Sequence, residues 1–151
     1  MKIPIFTIIL LLLSSFNLKA QSSFTDVELQ QIYIGVLTQN DIEGWVDEDG
    51  DVQFEYEEKS YFIAIYEDDP EFFQLSLFNI WPIETVVESS QVLLALDMVN
   101  RDHKVVKGYT IDDDVWLAVE IFLSSPFEAS TIFQRSLESL EEAVDTFISG
   151  M

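Results

Sequence analysis

Apolar residues recur along this chain with two different periods, and the switches between them outline its elements. Thr25-Asp26-Val27-Glu28 opens a first helix: Thr25 can cap free backbone N–H groups, and Glu28 can reach back to complete the box. Leu29, Ile32, Tyr33 and Val36 follow at helical spacing, and Asn40 is a reasonable stop. Strand signals begin at Trp45. Asp49-Gly50 is a strong hairpin dipeptide, because the turn wants positive φ and these residues tolerate it. Val52, Phe54 and Tyr56 then alternate with Asp51, Gln53, Glu55 and Glu57, the pattern of a half-buried strand with a wet face. Glu57-Glu58-Lys59 is the next turn. Tyr61 to Tyr66 is apolar on both faces, which predicts a more central strand, and Asp68-Asp69-Pro70 breaks it. Phe72 to Trp81 resumes as a strand with Phe73, Leu75 and Leu77 on one side.

Pro82 ends that strand. Thr85 to Asn100 has no breaker and carries Val92, Leu93, Leu96 and Val99, which predicts a largely buried helix. His103–Ile111 and Val115–Leu123 form a second hairpin around Asp112-Asp113-Asp114. Ser125-Pro126-Phe127-Glu128 is a clean helix start, with Ser125 as cap, Pro126 at the first helical position and Glu128 closing the box. Phe133, Leu137, Leu140, Val144 and Phe147 run at spacings of four and three along a long last helix that Gly150 ends. The predicted order is α-β-β-β-α-β-β-α. With no repeat and no linker, residues 21–151 read as one α+β domain.

Ahead of that domain, Lys2 supplies a positive start, Ile8 to Leu13 an unbroken apolar run, and Leu18-Lys19-Ala20 a cleavage site. The run is shorter than the roughly 20 residues a membrane-crossing helix needs. Residues 1–20 therefore read as a secretory signal peptide cut after Ala20, which places the mature protein in the periplasm or outside the cell. No later apolar stretch is long enough to span, so no membrane insertion is expected after cleavage. Lys2 and Lys19 leave with the signal, so five basic residues then face 28 acidic ones, a net charge of −23 against −21 for the full chain. Such a field repels nucleic acid and anionic membranes and favours basic protein segments or divalent cations. Twelve Phe, five Tyr and three Trp argue for a packed core instead of an acidic tail. Cysteine is absent, which removes disulfides, thiol catalysis and thiolate metal sites together.

Few constellations could carry chemistry. Asp47, Asp49 and Asp51 alternate around Gly50 like the start of a calcium loop, and Glu58 is twelfth from Asp47. Glycine falls fourth instead of sixth, however, and Val52, Phe54 and Tyr56 are strand residues, so a hairpin explains the segment better. Asp112 to Asp114 is likewise a turn. His103, the only imidazole, stands beside Arg101 and Asp102 at a helix end, where its cation is favourable without any catalytic role. No Gly-x-Ser-x-Gly elbow and no glycine-rich phosphate loop is present. Trp45, Trp81 and Trp116 read as packing residues. No catalytic residue, cofactor or metal is assigned, and an enzyme is not expected.

Three stretches carry a resemblance: Val46-Asp47-Glu48-Asp49-Gly50-Asp51-Val52, Tyr66-Glu67-Asp68-Asp69-Pro70-Glu71-Phe72 and Val99-Asn100-Arg101. Together they resemble the YbjN-type family, labelled bacterial sensory-transduction regulators, over nearly all of residues 25–149. The resemblance implies the fold of type III secretion chaperones, an antiparallel sheet with helices packed on it, often dimeric. Asp97 departs from the family pattern, which carries a second Asn three positions before the Asn-Arg pair. The signal peptide is a second departure, from cytosolic chaperones. The expected function is a non-enzymatic, chaperone-like or regulatory module that binds a segment of another protein, a basic one by charge, and forms a homodimer. The alternative is an acidic calcium-responsive protein using Asp47, Asp49 and Asp51.

Overall fold

A computed structural model describes residues 24–151; the signal peptide expected at 1–20 lies outside the described residues. The chain forms α1 (Asp26–Gln39), β1 (Gly44–Val46), β2 (Val52–Tyr56), β3 (Lys59–Ile63), β4 (Phe72–Leu77), α2 (Val86–Asp102), β5 (Val106–Ile111), β6 (Asp114–Phe122), a single 3₁₀ turn (Pro126–Glu128) and α3 (Ala129–Gly150). The order agrees with the α+β expectation, with the short Trp45 segment standing as a strand of its own. All six strands pair antiparallel in the order β1-β2-β3-β4-β6-β5.

The helices cover one face of this sheet. Val52 and Phe54, Tyr61 and Ile63, Phe73, Leu75 and Leu77, and Val115, Leu117 and Val119 all point into one core with Leu29, Tyr33, Leu96, Val99, Phe133, Leu140 and Phe147. Period-two alternation on the strands thus meets the helical stripes read from the sequence. Tyr33 is buried deeply enough that its hydroxyl is pushed up to about 12.

Local chemistry sets the element ends. Thr25 and Glu28 form the expected capping box, the Thr25 hydroxyl accepting from the Glu28 N–H at 3.3 Å and the Glu28 carboxylate from the Thr25 N–H at 2.9 Å. In the β1–β2 loop only Gly50 takes positive φ, at 93°. The Asp47 carboxylate holds the loop instead, accepting from the Asp49 and Asp51 N–H groups at 3.0 and 2.9 Å. The tight two-residue turn is Glu57-Glu58, where both residues are left-handed at φ 47° and 62°.

Four expectations change. The strand predicted for Tyr61–Tyr66 stops at Ile63, because Asp51 Oδ1 captures the Ile65 N–H at 2.8 Å. That predicted for Phe72–Trp81 stops at Leu77, and Asn79 turns the chain at φ 55°. The helix α2 is not largely buried: Val92, Ala95, Leu96 and Val99 face the core, but Val86, Val87, Leu93 and Leu94 are 87, 73, 59 and 69 % exposed. Ser125 makes no side-chain cap. Pro126 sets a 3₁₀ turn there, and Glu128 reaches back past Ser125 to accept from the Ser124 N–H at 3.0 Å.

The helix α2 is fixed to the sheet by Asn100. Its side chain accepts from the Gly108 N–H at 2.8 Å and donates to the Gly108 carbonyl at 3.1 Å, so it pairs with the outer edge of β5 as a strand would. Gly108 suits this close approach, since a Cβ would come within 2.7 Å of a Leu96 methyl and 3.1 Å of a Leu117 methyl and would force those side chains to shift.

Candidate functional site

Among the described residues no helix lies over the second face of the sheet. Its residues are the alternate set: Gln53 and Glu55, Phe62, Phe72, Gln74 and Ser76, Trp116, Ala118, Glu120 and Phe122, and Lys107 and Tyr109. An antiparallel sheet can leave one face in water, and such a face is ordinarily polar. This one holds aromatic clusters at both ends. At one end Phe62, Phe78 and Trp116 pack with ring centroids 5.5 to 5.8 Å apart. At the other, Phe72 lies 5.4 Å from Tyr66 and 5.3 Å from Phe122, whose side chain is 74 % exposed.

A polar strip separates the clusters. Tyr66 donates its hydroxyl to Gln74 at 2.7 Å, and Gln74 donates to Ser76 at 3.0 Å. Tyr109 stands beside the strip on β5, and Lys107 lies 5.4 Å above its ring while pairing with Glu120 at 3.1 Å. Burial pushes the Tyr66 and Tyr109 hydroxyls up, so both remain neutral donors. Beneath the strip Ser76 and Ala118, paired in register, are fully covered by the longer side chains around them. The Trp116 ring N–H is buried without an acceptor among the described residues. An unspent donor of this kind costs free energy until a carbonyl reaches it.

This arrangement holds no nucleophile–base pair. It can do what flat aromatic surfaces with spaced donors and acceptors do, which is to take up apolar side chains at two points and hydrogen-bond between them. Alternation along the strands shows which residues lie outside the core, but it reads that outer face as wet; only the pairing register brings its rings together.

The residues singled out in the sequence are dispersed. Asp47, Asp49 and Asp51 share the β1–β2 loop, where the Asp47 oxygens are taken by backbone N–H groups and by Gln53 at 2.7 Å, and one Asp51 oxygen by Ile65. Burial, ahead of the neighbouring Asp47 and Asp49 charges, raises the Asp51 carboxyl. Among the described residues no group of three or more His, Asp or Glu side chains is placed to hold a metal ion. Asp112 and Asp113 form the β5–β6 turn. His103 caps the end of α2, its Nε2 lying 2.9 Å from the Thr146 hydroxyl. The tryptophans go to two places. Trp45, half-exposed on β1 across from Gln53, and Trp116 belong to the open face, while Trp81 donates to Glu88 at 2.9 Å and meets Phe147 edge-on.

Residues 28–149, from the first turn of α1 to the last turn of α3, match a family model described as T3SS (YopN, CesT) and YbjN peptide-binding chaperone 1. No curated protein matches the chain. The match takes in every strand of the sheet and both of its faces, and the chain belongs to this family of peptide-binding chaperones.

Proposed function

We propose that this protein is an exported, non-enzymatic peptide-binding module whose open sheet face takes up an extended, basic segment of another protein. The observation that carries the reading is the pair of aromatic clusters, Phe62–Phe78–Trp116 and Tyr66–Phe72–Phe122, on a sheet face that no described helix covers, joined by hydrogen-bonding side chains. Tyr66 and Phe122 are exposed and the other four rings half-buried, and an apolar patch rimmed by polar groups in this way marks an interaction surface. The acid excess supplies the long-range part, since a field of this sign speeds encounter with cationic chains and repels anionic ones. Export through residues 1–20 would place the module in the periplasm or outside the cell.

Self-association belongs to the same reading. The exposed Val86, Val87, Leu93 and Leu94 form a second apolar surface on α2, on the helix side of the sheet, so a dimer joined there leaves the aromatic face free.

Fluorescence titration with lysine-containing decapeptides tests the proposal, because Trp116 reports directly from the face. Binding should change the tryptophan emission, weaken with salt, and weaken sharply in Phe122→Ser, at a 74 % exposed position, while melting shifts little. Binding that is unaffected by that substitution would place the peptide elsewhere.

A further inference from the structure

We propose that a cleft on the opposite side of the sheet, between β5, β6 and α3, is a second site, apart from the aromatic face, that holds the carboxyl-terminal residue of a peptide; the inference goes beyond the peptide-binding reading and rests on it. The cleft has a volume of about 470 Å³ and is walled by Val106, Val119, Ile121 and Ile132. His103, Lys104 and Arg135 stand around it.

The cations are the decisive feature. Three of the five described lysines and arginines hold a carboxylate: Lys59 with Glu141, Arg101 with Asp102 and Lys107 with Glu120. Lys104 and Arg135 have no acidic partner within 4.0 Å among the described residues, although 28 acidic residues are available. Both line this one cleft. Two acids line it too: Asp102, which Arg101 grips through hydrogen bonds of 2.9 and 3.1 Å, and Glu142. The Thr146 hydroxyl lies 3.1 Å from the Glu142 carbonyl and 2.9 Å from His103 Nε2, so the His103 ring is tied to α3.

An apolar cleft with two free cations calls for a ligand carrying an anionic group next to an apolar one. The surrounding field repels ligands of net negative charge. A basic peptide ending in a free carboxylate meets both conditions, its lysines answering the field and its last residue filling the cleft with the carboxylate on Lys104 and Arg135.

Amide chemical shifts of the protein, titrated with N-acetyl-phenylalanine, its carboxamide and decanoate, test this. The acid should shift Val105, Val106 and Ser139 saturably, about tenfold more tightly than the carboxamide. Arg135→Gln with Lys104→Gln, both at exposed positions, should abolish that preference and leave the fold intact. Equal response to acid and carboxamide, no response, or a preference that survives the double substitution would each overturn the proposal. Decanoate binding as tightly as N-acetyl-phenylalanine would overturn the peptide as ligand in favour of a fatty acyl chain. A lysine-rich decapeptide ending in a carboxamide separates the two readings. If it binds the aromatic face while the cleft ignores carboxylates, only the present inference falls; if it fails while N-acetyl-phenylalanine binds, the peptide-binding reading falls and takes the peptide ligand with it.

Discussion

Lys59 at the start of β3 reaches Glu141 in the middle of α3, its ammonium nitrogen 3.5 Å from the carboxylate, and so ties the tip of the β2–β3 hairpin to the last helix. The pairing does not satisfy Glu141. Its carboxyl is raised above 4.5, first by burial and then by the neighbouring Glu57, and these outweigh Lys59. The Tyr61 hydroxyl, buried beside it without a partner among the described residues, is raised by burial and by the same two carboxylates.

A carboxyl raised in the folded state favours folding only while protonated. Its contribution is complete below the unfolded value of 4.5 and is lost as pH rises through the folded value. Glu141→Gln should therefore raise the melting temperature at neutral pH, and the gain should shrink toward mildly acidic pH. Paired thermal melts across that window check it; a variant less stable than the parent at neutral pH would show that Lys59 outweighs burial.

Asn100→Ala should cost about 2 kcal/mol in urea denaturation, because both hydrogen bonds to Gly108 go and the strand groups lose their partner. Asn100→Asp keeps the acceptor and loses the donor, so it should fall between the parent and the alanine variant.

At the start of α3 the acidic side chain should matter more than the serine. Ser125→Ala should change stability by less than about 0.5 kcal/mol, since its hydroxyl caps nothing. Glu128→Ala removes the acceptor of the Ser124 N–H and should cost about 1 kcal/mol. Melting both variants side by side decides the matter.

Light scattering on the protein should give twice the monomer mass at micromolar concentration. Leu93→Glu with Leu94→Glu should restore the monomer without unfolding it, as these side chains are 59 and 69 % exposed. A dimer that persists in the double variant would move the interface off α2.

Features written in a few adjacent residues were readable from the sequence. The Thr25–Glu28 box, the alternation through Val52, Phe54 and Tyr56, and the core stripe of α3 are all local patterns, and the structure carries them. What the sequence hides depends on distant partners. Tyr61–Tyr66 reads as one strand because nothing local reveals that Asp51, fourteen residues earlier, will seize the Ile65 N–H. Ser125 resembles a cap until Glu128 folds back beyond it. Leu93 looks like core because a helix with apolar residues on two sides does not say which side meets the sheet. The aromatic face is harder still. Phe62, Phe72, Trp116 and Phe122 sit among apolar neighbours in their strands, and only the register of three strands gathers them.

The Asn100–Gly108 pair has a consequence for growth by addition. A bare edge strand is a template on which further chains can be laid without limit, and a sheet with exposed rings is a poor place to leave one. Gly108 sits midway along β5, and a side chain already occupies both of its outward ladder positions. The opposite edge, β1, offers three residues. Lateral polymerisation is thus interrupted at one border and starved at the other, and the sheet can expose sticky rings on its face without becoming the seed of a fibre.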